Sequence, residues 1–284
     1  MLALLSLIRS SWTQSHRITK CGIFLGLSIF LSLNESYASH LKLRIGYNEN
    51  SSYPHFLEVG PLPATPPGLS VDIIKIIADE LEFDIEFVRL PGRRVLHELK
   101  ANRLDAAFIF SFKPERQQFG VYPMIGETPD SERRLAVLSY VLYKNQGSDL
   151  NWNGEIFENL RGAIGANAGY SIVADLRKKG VIVEEAKSTS NNFAKLRSSR
   201  VVAVADQEVV ADAYLRKNKL NGVVKLLKPL VTKDYFLIFS HKFSSEHSET
   251  KDAVWNAIAE KRDELTEQLI PKYLDGDLQR SPSN

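Results

Sequence analysis

Cysteine is almost absent from this sequence, which contains Cys21 alone among 284 residues. A single cysteine excludes an internal disulfide framework and a zinc site built from paired cysteines. The histidines after residue 38 lack metal-binding spacing, and neither a phosphate-binding loop nor a Gly-x-Gly-x-x-Gly motif occurs. We therefore expect no metal and no cofactor, and a fold that depends on its hydrophobic core for stability.

Long hydrophobic runs are also scarce, and the longest mostly apolar run, residues 21–33, has only 13 residues. A membrane-spanning helix needs about 20. Arg17 and Lys20 precede the run, and small residues surround Ala38 after it, which is the pattern of a secretory signal peptide. We predict a signal peptide over residues 1–38, cleavage near Ala38 and a periplasmic protein. An uncleaved N-terminal anchor is the alternative.

A surplus of charge of one sign is absent as well. The chain has 36 basic and 34 acidic residues, of which the predicted signal peptide holds three and one, so that 33 of each sign remain. A chain without net charge has no global positive field to attract a phosphate backbone. We therefore expect no nucleic-acid partner.

Two stretches in which strand and helix patterns alternate account for most of the remaining chain. Such alternation predicts a mostly parallel sheet covered by helices. Two long strand-like segments, residues 133–145 and 234–241, connect the two stretches. We predict an α/β fold of two lobes with two hinge crossings. Lobe 2 (139–235) is inserted into lobe 1 (39–138 and 236–284), and a cleft lies between them.

Polar and charged residues follow the apolar strand "DAAFIF", residues 105–110, where it should reach the cleft. Ligands of open α/β sheets bind at the carboxyl ends of strands, and Ser111 and Arg116 stand at this end. A guanidinium donates paired hydrogen bonds to a carboxylate, and a hydroxyl adds a third. These residues alone leave two interpretations open: a carboxylate site, or a surface ion pair between Arg116 and an acid of its own lobe.

The segments "PPGLSVDIIKIIADEL" and "NRLDAAFIFSFKPERQQFG" are similar to those of family 3 periplasmic solute-binding proteins, the polar amino-acid binders of ABC transporters. The resemblance covers nearly all of residues 40–275. It implies the type II periplasmic binding fold, hinge closure on a small polar ligand, and an inner-membrane permease or sensor as the partner. It also implies that Ser111 and Arg116 bind the α-carboxylate of the ligand. We expect the protein to be a monomer.

The resemblance also places residues of the first loop and of lobe 2 in the site. Tyr53 and Phe56 stand where the family has aromatic ligand contacts, although such residues also cover core edges. Arg94, in "PGRR", matches relatives that direct an arginine to the cleft, and a solvated helix face fits it equally. Asp206 ends "VVAVAD", where an acid of the family receives the ligand's α-amino group, and a helix cap explains the same residue.

The turn "ANAGYS", residues 166–171, corresponds to the family's glycine-containing turn at the start of a helix. Backbone N–H groups at such a position bind a ligand carboxylate. The candidates are Gly169, Tyr170 and Ser171. An ordinary N-cap formed by Ser171 explains the same letters.

The sequence departs from the family pattern around this predicted pocket. Lys113 replaces a small hydroxyl residue, and Gly92 replaces a bulky aromatic residue. After Arg116, "YPMIG" (122–126) replaces the family's usual Phe-Ser-x-Pro-Tyr. These changes favour a ligand other than a standard amino acid, such as a small organic acid or a short peptide. We expect a binding protein that delivers an amino acid or related carboxylate to a permease, and no enzyme. The alternatives are a ligand sensor for a membrane signalling partner, or a periplasmic dehydratase with Glu115 or Glu127 as general acid.

Overall fold

The computed structural model describes residues 40–57 and 67–274. The predicted signal peptide and its cleavage site lie outside these residues. Within the two described ranges, no helix combines the length and the apolar character needed to cross a membrane.

The described chain alternates between strands and helices, in the order that the hydrophobic pattern predicts. The strands are β1 (Lys42–Asn48), β2 (Asp84–Leu90), β3 (Ala106–Ser111), β4 (Met124–Ile125), β5 (Thr128–Pro129), β6 (Ala136–Asn145), β7 (Asn151–Trp152), β8 (Phe157–Glu158), β9 (Ile164–Asn167), β10 (Val183–Ala186), β11 (Ala203–Gln207), β12 (Val223–Lys225) and β13 (Val231–Phe239). The helices are α1 (Leu69–Glu80), α2 (Gly92–Lys100), α3 (Ser171–Lys178), α4 (Thr189–Arg197), α5 (Glu208–Lys217), α6 (His241–Glu246) and α7 (Ser248–Leu274). The hairpins β4–β5 and β7–β8 were not predicted, because two-residue strands carry no readable alternation.

One mixed sheet of nine strands passes through both lobes in the order β10-β9-β11-β6-β13-β3-β1-β2, with β12 paired to β6. Strands β1, β2 and β3 of lobe 1 are parallel to one another, as are β9, β10 and β11 of lobe 2. The long strands β6 and β13 pair antiparallel with each other; β6 also pairs antiparallel with β11 and β12 of lobe 2, and β13 with β3 of lobe 1. These two strands are the crossings, and they join the parallel strands of the two lobes into one sheet.

Each lobe buries its own hydrophobic core. In lobe 1, α1 places Ile73, Ile74 and Ile77 against β1, and all three side chains are buried. The spacing of these residues on one helical face is the pattern that predicted the helix. In lobe 2, Ile164 of β9 packs with Ile172 of α3 in a second core. Because the cores are separate, the residues between the lobes are free to serve a site.

The start of α1 is set by Gly68. Gly68 occupies the N-cap position, with φ 135°, a backbone conformation that favours glycine. A Cβ atom at Gly68 would approach the His55 carbonyl oxygen to 2.4 Å. Ser70 lies inside the helix, where its hydroxyl contacts the His55 ring at 2.9 Å. The first loop is therefore held against α1 at the edge of the cleft.

The predicted lobe boundaries, between residues 138 and 139 and between residues 235 and 236, fall within β6 and β13. The boundaries stay a prediction, because a crossing strand that pairs with both lobes belongs equally to each.

Candidate functional site

Both lobes and both crossing strands contribute residues to a cavity of about 50 Å³. On the lobe 1 side, Asn48 and Ser111 end β1 and β3. On the lobe 2 side, Gln207 ends β11 and Gly169 follows β9. These positions are the carboxyl ends of parallel strands, where open α/β sheets bind ligands. The cavity is therefore the candidate ligand site.

Arg116 extends into this cavity from lobe 1. The 3₁₀ turn Pro114–Arg116 directs its side chain back toward the end of β3. Its Nη1 donates to the backbone oxygen of Ser111 at 2.8 Å and to the Ser111 Oγ at 3.0 Å, and its Nη2 donates to the Gly169 carbonyl oxygen at 3.4 Å. All three acceptors are neutral. Among residues 40–57 and 67–274, no carboxylate forms an ion pair with Arg116, so its charge is available to an anion.

The turn Gly169–Ser171 forms the lobe 2 wall opposite Arg116. Gly169 has φ +78°, and a Cβ there would lie 2.9 Å from the Arg93 side chain. Tyr170, rather than Ser171, is the N-cap residue of α3, and Ser171 is the first helical residue. The buried Ser171 Oγ lies beside the Tyr140 and Tyr235 hydroxyls and makes no hydrogen bond of normal geometry to the described residues. Because Ser171 lines the cavity, this hydroxyl is a candidate donor to a ligand.

Two tyrosines of the crossing strands complete the wall, and sequence reasoning missed both. The hydroxyl of Tyr235 in β13 donates to the hydroxyl of Tyr140 in β6 at 3.0 Å. Gln207 Nε2 donates to the Tyr235 oxygen at 3.2 Å, while Gln207 Oε1 accepts from the Ser52 hydroxyl at 3.0 Å. Burial raises the pKa of Tyr140 and of Tyr235, so both phenols stay protonated. The chain Ser52–Gln207–Tyr235–Tyr140 thus links lobe 1, lobe 2 and both crossings.

Asp206 does not line the cavity. Strand β11 extends one residue beyond its predicted end, to Gln207. In the sheet register Asp206 lies opposite Val141, whereas Gln207 lies opposite the cavity residue Tyr140. Because side chains alternate between the faces of a strand, the amide and not the carboxylate reaches the cavity. Asp206 is not the N-cap of α5 either, since that position belongs to Gln207.

The Asp206 carboxylate is instead bound by donors of lobe 2. It accepts from the Thr189 hydroxyl at 2.6 Å, from the Gln207 backbone N–H at 2.8 Å, and from Asn167 Nδ2 at 3.4 Å to each oxygen. Burial raises the pKa of Asp206 to about 6, against the opposing effect of these hydrogen bonds. A ligand ammonium would have to displace protein donors to reach it.

The remaining predicted residues divide between the cavity and its surroundings. Phe56 is fully buried and lines the cavity. The Tyr53 side chain is outside the lining, and its hydroxyl donates to the Tyr273 carbonyl oxygen at 2.8 Å. Arg94 is also outside, on the exposed face of α2, 3.6 Å from Glu98. Its neighbour Arg93 lines the cavity in its place, because one residue along a helix turns a side chain by about 100°.

Hydrogen bonds and ion pairs also join the lobes around the cavity. Arg93 pairs with Glu185 at 2.9 Å. Lys113, one of the departures from the family pattern, donates to the Ser171 carbonyl oxygen at 2.8 Å and lies 3.6 Å from Asp175. Burial lowers the pKa of Lys113, and the Asp175 charge opposes this effect. These contacts hold the two lobes closed over the cavity.

Comparison with known proteins identifies the fold. No family model matches the sequence, and no curated protein matches it. The ligand-binding core of GluR0 from Nostoc punctiforme in complex with L-glutamate is 16% identical, with a TM-score of 0.64 over 82% of this chain and 99% of that chain. An ancestral arginine-binding protein bound to glutamine is 21% identical, with a TM-score of 0.63 over 82% of this chain and 97% of that one.

A histidine kinase sensor domain described as similar to periplasmic binding proteins also matches. It is 14% identical, with a TM-score of 0.67 over 83% of this chain and 96% of that chain. Together these matches show that this chain has the two-lobed α/β fold of periplasmic binding proteins. The predicted fold class is therefore confirmed.

Proposed function

We propose that this protein is an exported solute-binding protein that closes its two lobes around a small polar ligand bearing a carboxylate. The observation that carries the proposal is Arg116, a half-buried cation in the cavity whose described hydrogen-bond acceptors are all neutral oxygens. A cation held in this way, beside the Ser171 hydroxyl, favours a carboxylate as its ionic partner. Membership of solute-binding family 3 and delivery to an ABC permease are part of the proposal.

The wall opposite Arg116 supports the same function. Hydrogen bonds and ion pairs that cross between the lobes surround the cavity, so that closure and ligand enclosure are coupled. Hinge closure around a ligand is a common motion of two-lobed binding proteins. The proposed general acids of the dehydratase alternative, Glu115 and Glu127, are exposed and do not line the cavity. Binding without turnover is therefore the better-supported function.

A sensing role is the second candidate, and the sensor-domain match supports it. The two roles share the ligand site and differ in the membrane partner. Cross-linking of the ligand-loaded protein in cells, followed by identification of the linked membrane protein, separates them. A permease subunit supports transport, and a histidine kinase or other receptor supports sensing.

Titration calorimetry with Arg116→Ala tests the shared ligand site. The panel contains amino acids, small carboxylic acids and short peptides, and the matched control is Arg94→Ala, an exposed arginine outside the cavity. We expect a ligand of the wild type to lose at least roughly a hundredfold in affinity with Arg116→Ala and less than about threefold with the control. Unchanged affinity in Arg116→Ala, or a folded wild type that binds nothing in the panel, contradicts the proposal.

A further inference from the structure

The charged residues that line the cavity are of one sign. They are Arg93 and Arg116, and no aspartate or glutamate is among the described lining residues. The other polar groups of the lining are amides and hydroxyls, including Gln207, Tyr170 and Ser171. A zwitterionic ligand needs a partner for each of its charges, since burying an unpaired charge is costly. Arg93 is paired with Glu185, so the lining offers the charge of Arg116 for a carboxylate and no carboxylate for an ammonium.

Asp206, the residue before the lining residue Gln207, is not free to pair with an ammonium. Thr189, Gln207 and Asn167 all donate to its two oxygens, and it is 1% exposed. The next residue, Gln207, takes the cavity position, and Ser52 and Tyr235 already bind its amide. An entering ammonium would therefore meet a neutral amide where an acid is needed.

The other acids of the lobe 2 wall are each bound to cations. Glu185 accepts from Arg93 and Arg177, and its Oε2 also accepts from the Gly169 backbone N–H at 3.1 Å. Asp175 pairs with Lys113 and with Lys233. Neither acid lines the cavity.

The carbonyl oxygens next to Arg116 are also engaged. The carbonyl oxygens of Ser111 and Gly169 accept from Arg116, and Ser111 also accepts from the Tyr122 hydroxyl. An ammonium placed there would lie beside a guanidinium and compete with it for the same acceptors. By contrast, a carboxylate could accept from Arg116 and from the Ser171 hydroxyl, and no like charge would face it.

We propose that the ligand is a small carboxylate without an ammonium group: a plain, hydroxy or oxo carboxylic acid. This inference rests on the proposed function and specifies its ligand class. The cavity has room for a small ligand between the lobes. The structure therefore assigns the site to a metabolite class different from the amino acids bound by GluR0 and the arginine-binding protein.

Titration calorimetry with matched pairs tests the inference. In each pair an amino acid is compared with an acid that has hydrogen or a hydroxyl in place of the amino group. Glycine is compared with acetate and with glycolate, L-alanine with propionate and with L-lactate, and L-glutamate with glutarate. The folded wild type is used at one pH and one ionic strength, after unfolding and refolding to remove any ligand retained during purification. In each pair that binds, we expect the acid without the amino group to bind at least ten times more tightly.

The outcomes separate this inference from the proposed function. Tighter binding of the amino acid overturns the inference and leaves the proposed function in place. If no member of any pair binds, the inference fails, and the proposed function fails with it when the wider panel of amino acids, carboxylic acids and short peptides also shows no binding. Asp206→Asn provides a second measurement. We expect it to change the affinity for the bound acid less than about threefold, whereas a hundredfold loss would show that the carboxylate contacts the ligand.

Discussion

Arg116 and Asp206 lie on opposite sides of the cleft and differ in how the protein treats their charges. Arg116 is half-buried, lines the cavity, and donates its described hydrogen bonds only to neutral oxygens. Asp206 is fully buried behind the lining, and three donor residues of lobe 2 saturate its carboxylate. The guanidinium of Arg116 is thus accessible to a ligand in the cleft, and the carboxylate of Asp206 is not. A charged residue at a strand end is therefore available to a ligand only if other residues of the protein do not already pair with its charge.

Gln207→Glu is expected to have the largest effect, because it places a carboxylate in the cavity lining, where the wild type has a neutral amide. A like charge facing a bound anion costs several kcal/mol. We expect the affinity for the carboxylate ligand to fall by about 4 kcal/mol, or roughly a thousandfold. Titration calorimetry at pH 7.5 measures the change, with circular dichroism to confirm folding.

The matched control for this variant is Gln118→Glu, an exposed glutamine whose side chain contacts Lys100 rather than the cavity. It adds the same charge away from the cavity and should leave the affinity for the acid within about threefold of that of the wild type. If Gln207→Glu binds the acid as tightly as the wild type does, the absence of acids from the cavity lining does not select the ligand. The same conclusion follows if the wild type and the variant bind an amino acid with equal affinity.

Asp206→Asn tests the burial of the Asp206 carboxyl through the pH dependence of stability. Burial raises the pKa of Asp206 from 3.8 to about 6, so the folded protein holds this proton more tightly than the unfolded chain. Stability from this group is therefore greatest below pH 3.8 and is lost as the pH rises to 6. We expect the wild type to lose about 2 kcal/mol relative to Asp206→Asn between pH 4 and pH 7. Urea unfolding of both proteins at each pH gives this difference.

Thr189→Val provides the companion measurement, since it removes the hydroxyl that donates to Asp206 and leaves the titrating group in place. Loss of a donor to the charged form raises the pKa further. The variant should therefore show a larger stability loss between pH 4 and pH 7 than the wild type. A difference curve for Asp206→Asn that is flat with pH would mean that the carboxylate is solvated and available to the cleft.

Hydrophobic alternation in the sequence was sufficient to predict the two lobes and the two crossings. Ser111 and Arg116 were expected at the same strand end, and a short turn with Pro114 brings the arginine side chain back to that end. Both features depend on local geometry, which a single sequence contains.

The parts of the site that could not be predicted depend on single-residue precision or on distant pairing. Periodicity does not place a strand or helix end to within one residue, so Asp206 was expected where Gln207 lies and Arg94 where Arg93 lies. Lys113 and Asp175 meet only because the lobes close, and nothing local in the sequence relates them. Tyr140 and Tyr235 were interpreted as part of two apolar crossings, since their hydroxyls face each other only after the sheet forms.

Asp175→Asn tests a third ionic group, one that lies between the lobes and is neither exposed to the ligand nor enclosed in one lobe. Asp175 pairs with Lys113 and Lys233, whose side chains are 17% and 14% exposed. Without the carboxylate, two largely buried ammonium groups face each other with a neutral amide between them. We expect a loss of about 2 kcal/mol in the free energy of unfolding at pH 7, measured with urea.

The control for Asp175→Asn is Asp149→Asn, whose ion pair with Arg161 is 3.0 Å long and exposed on both sides. An exposed pair contributes little, so this control should cost less than about 0.5 kcal/mol. Equal losses from the two variants would show that the Asp175 pairs are as solvated as a surface ion pair.

Ser52→Ala has the smallest expected effect and tests whether neutral contacts contribute to closure beside the ionic ones. The Ser52 hydroxyl donates to Gln207 Oε1 between the lobes, and the contact is buried. Its removal leaves an unsatisfied amide oxygen at the cavity, which costs about 1 kcal/mol. Because the bond forms only when the lobes close, the loss should appear as a roughly fivefold weaker affinity for the ligand, with little change in unfolding by urea. Ser245→Ala, on an exposed part of α6, is the control, and a stability loss without an affinity loss would place the Ser52 contact in the open as well as the closed form.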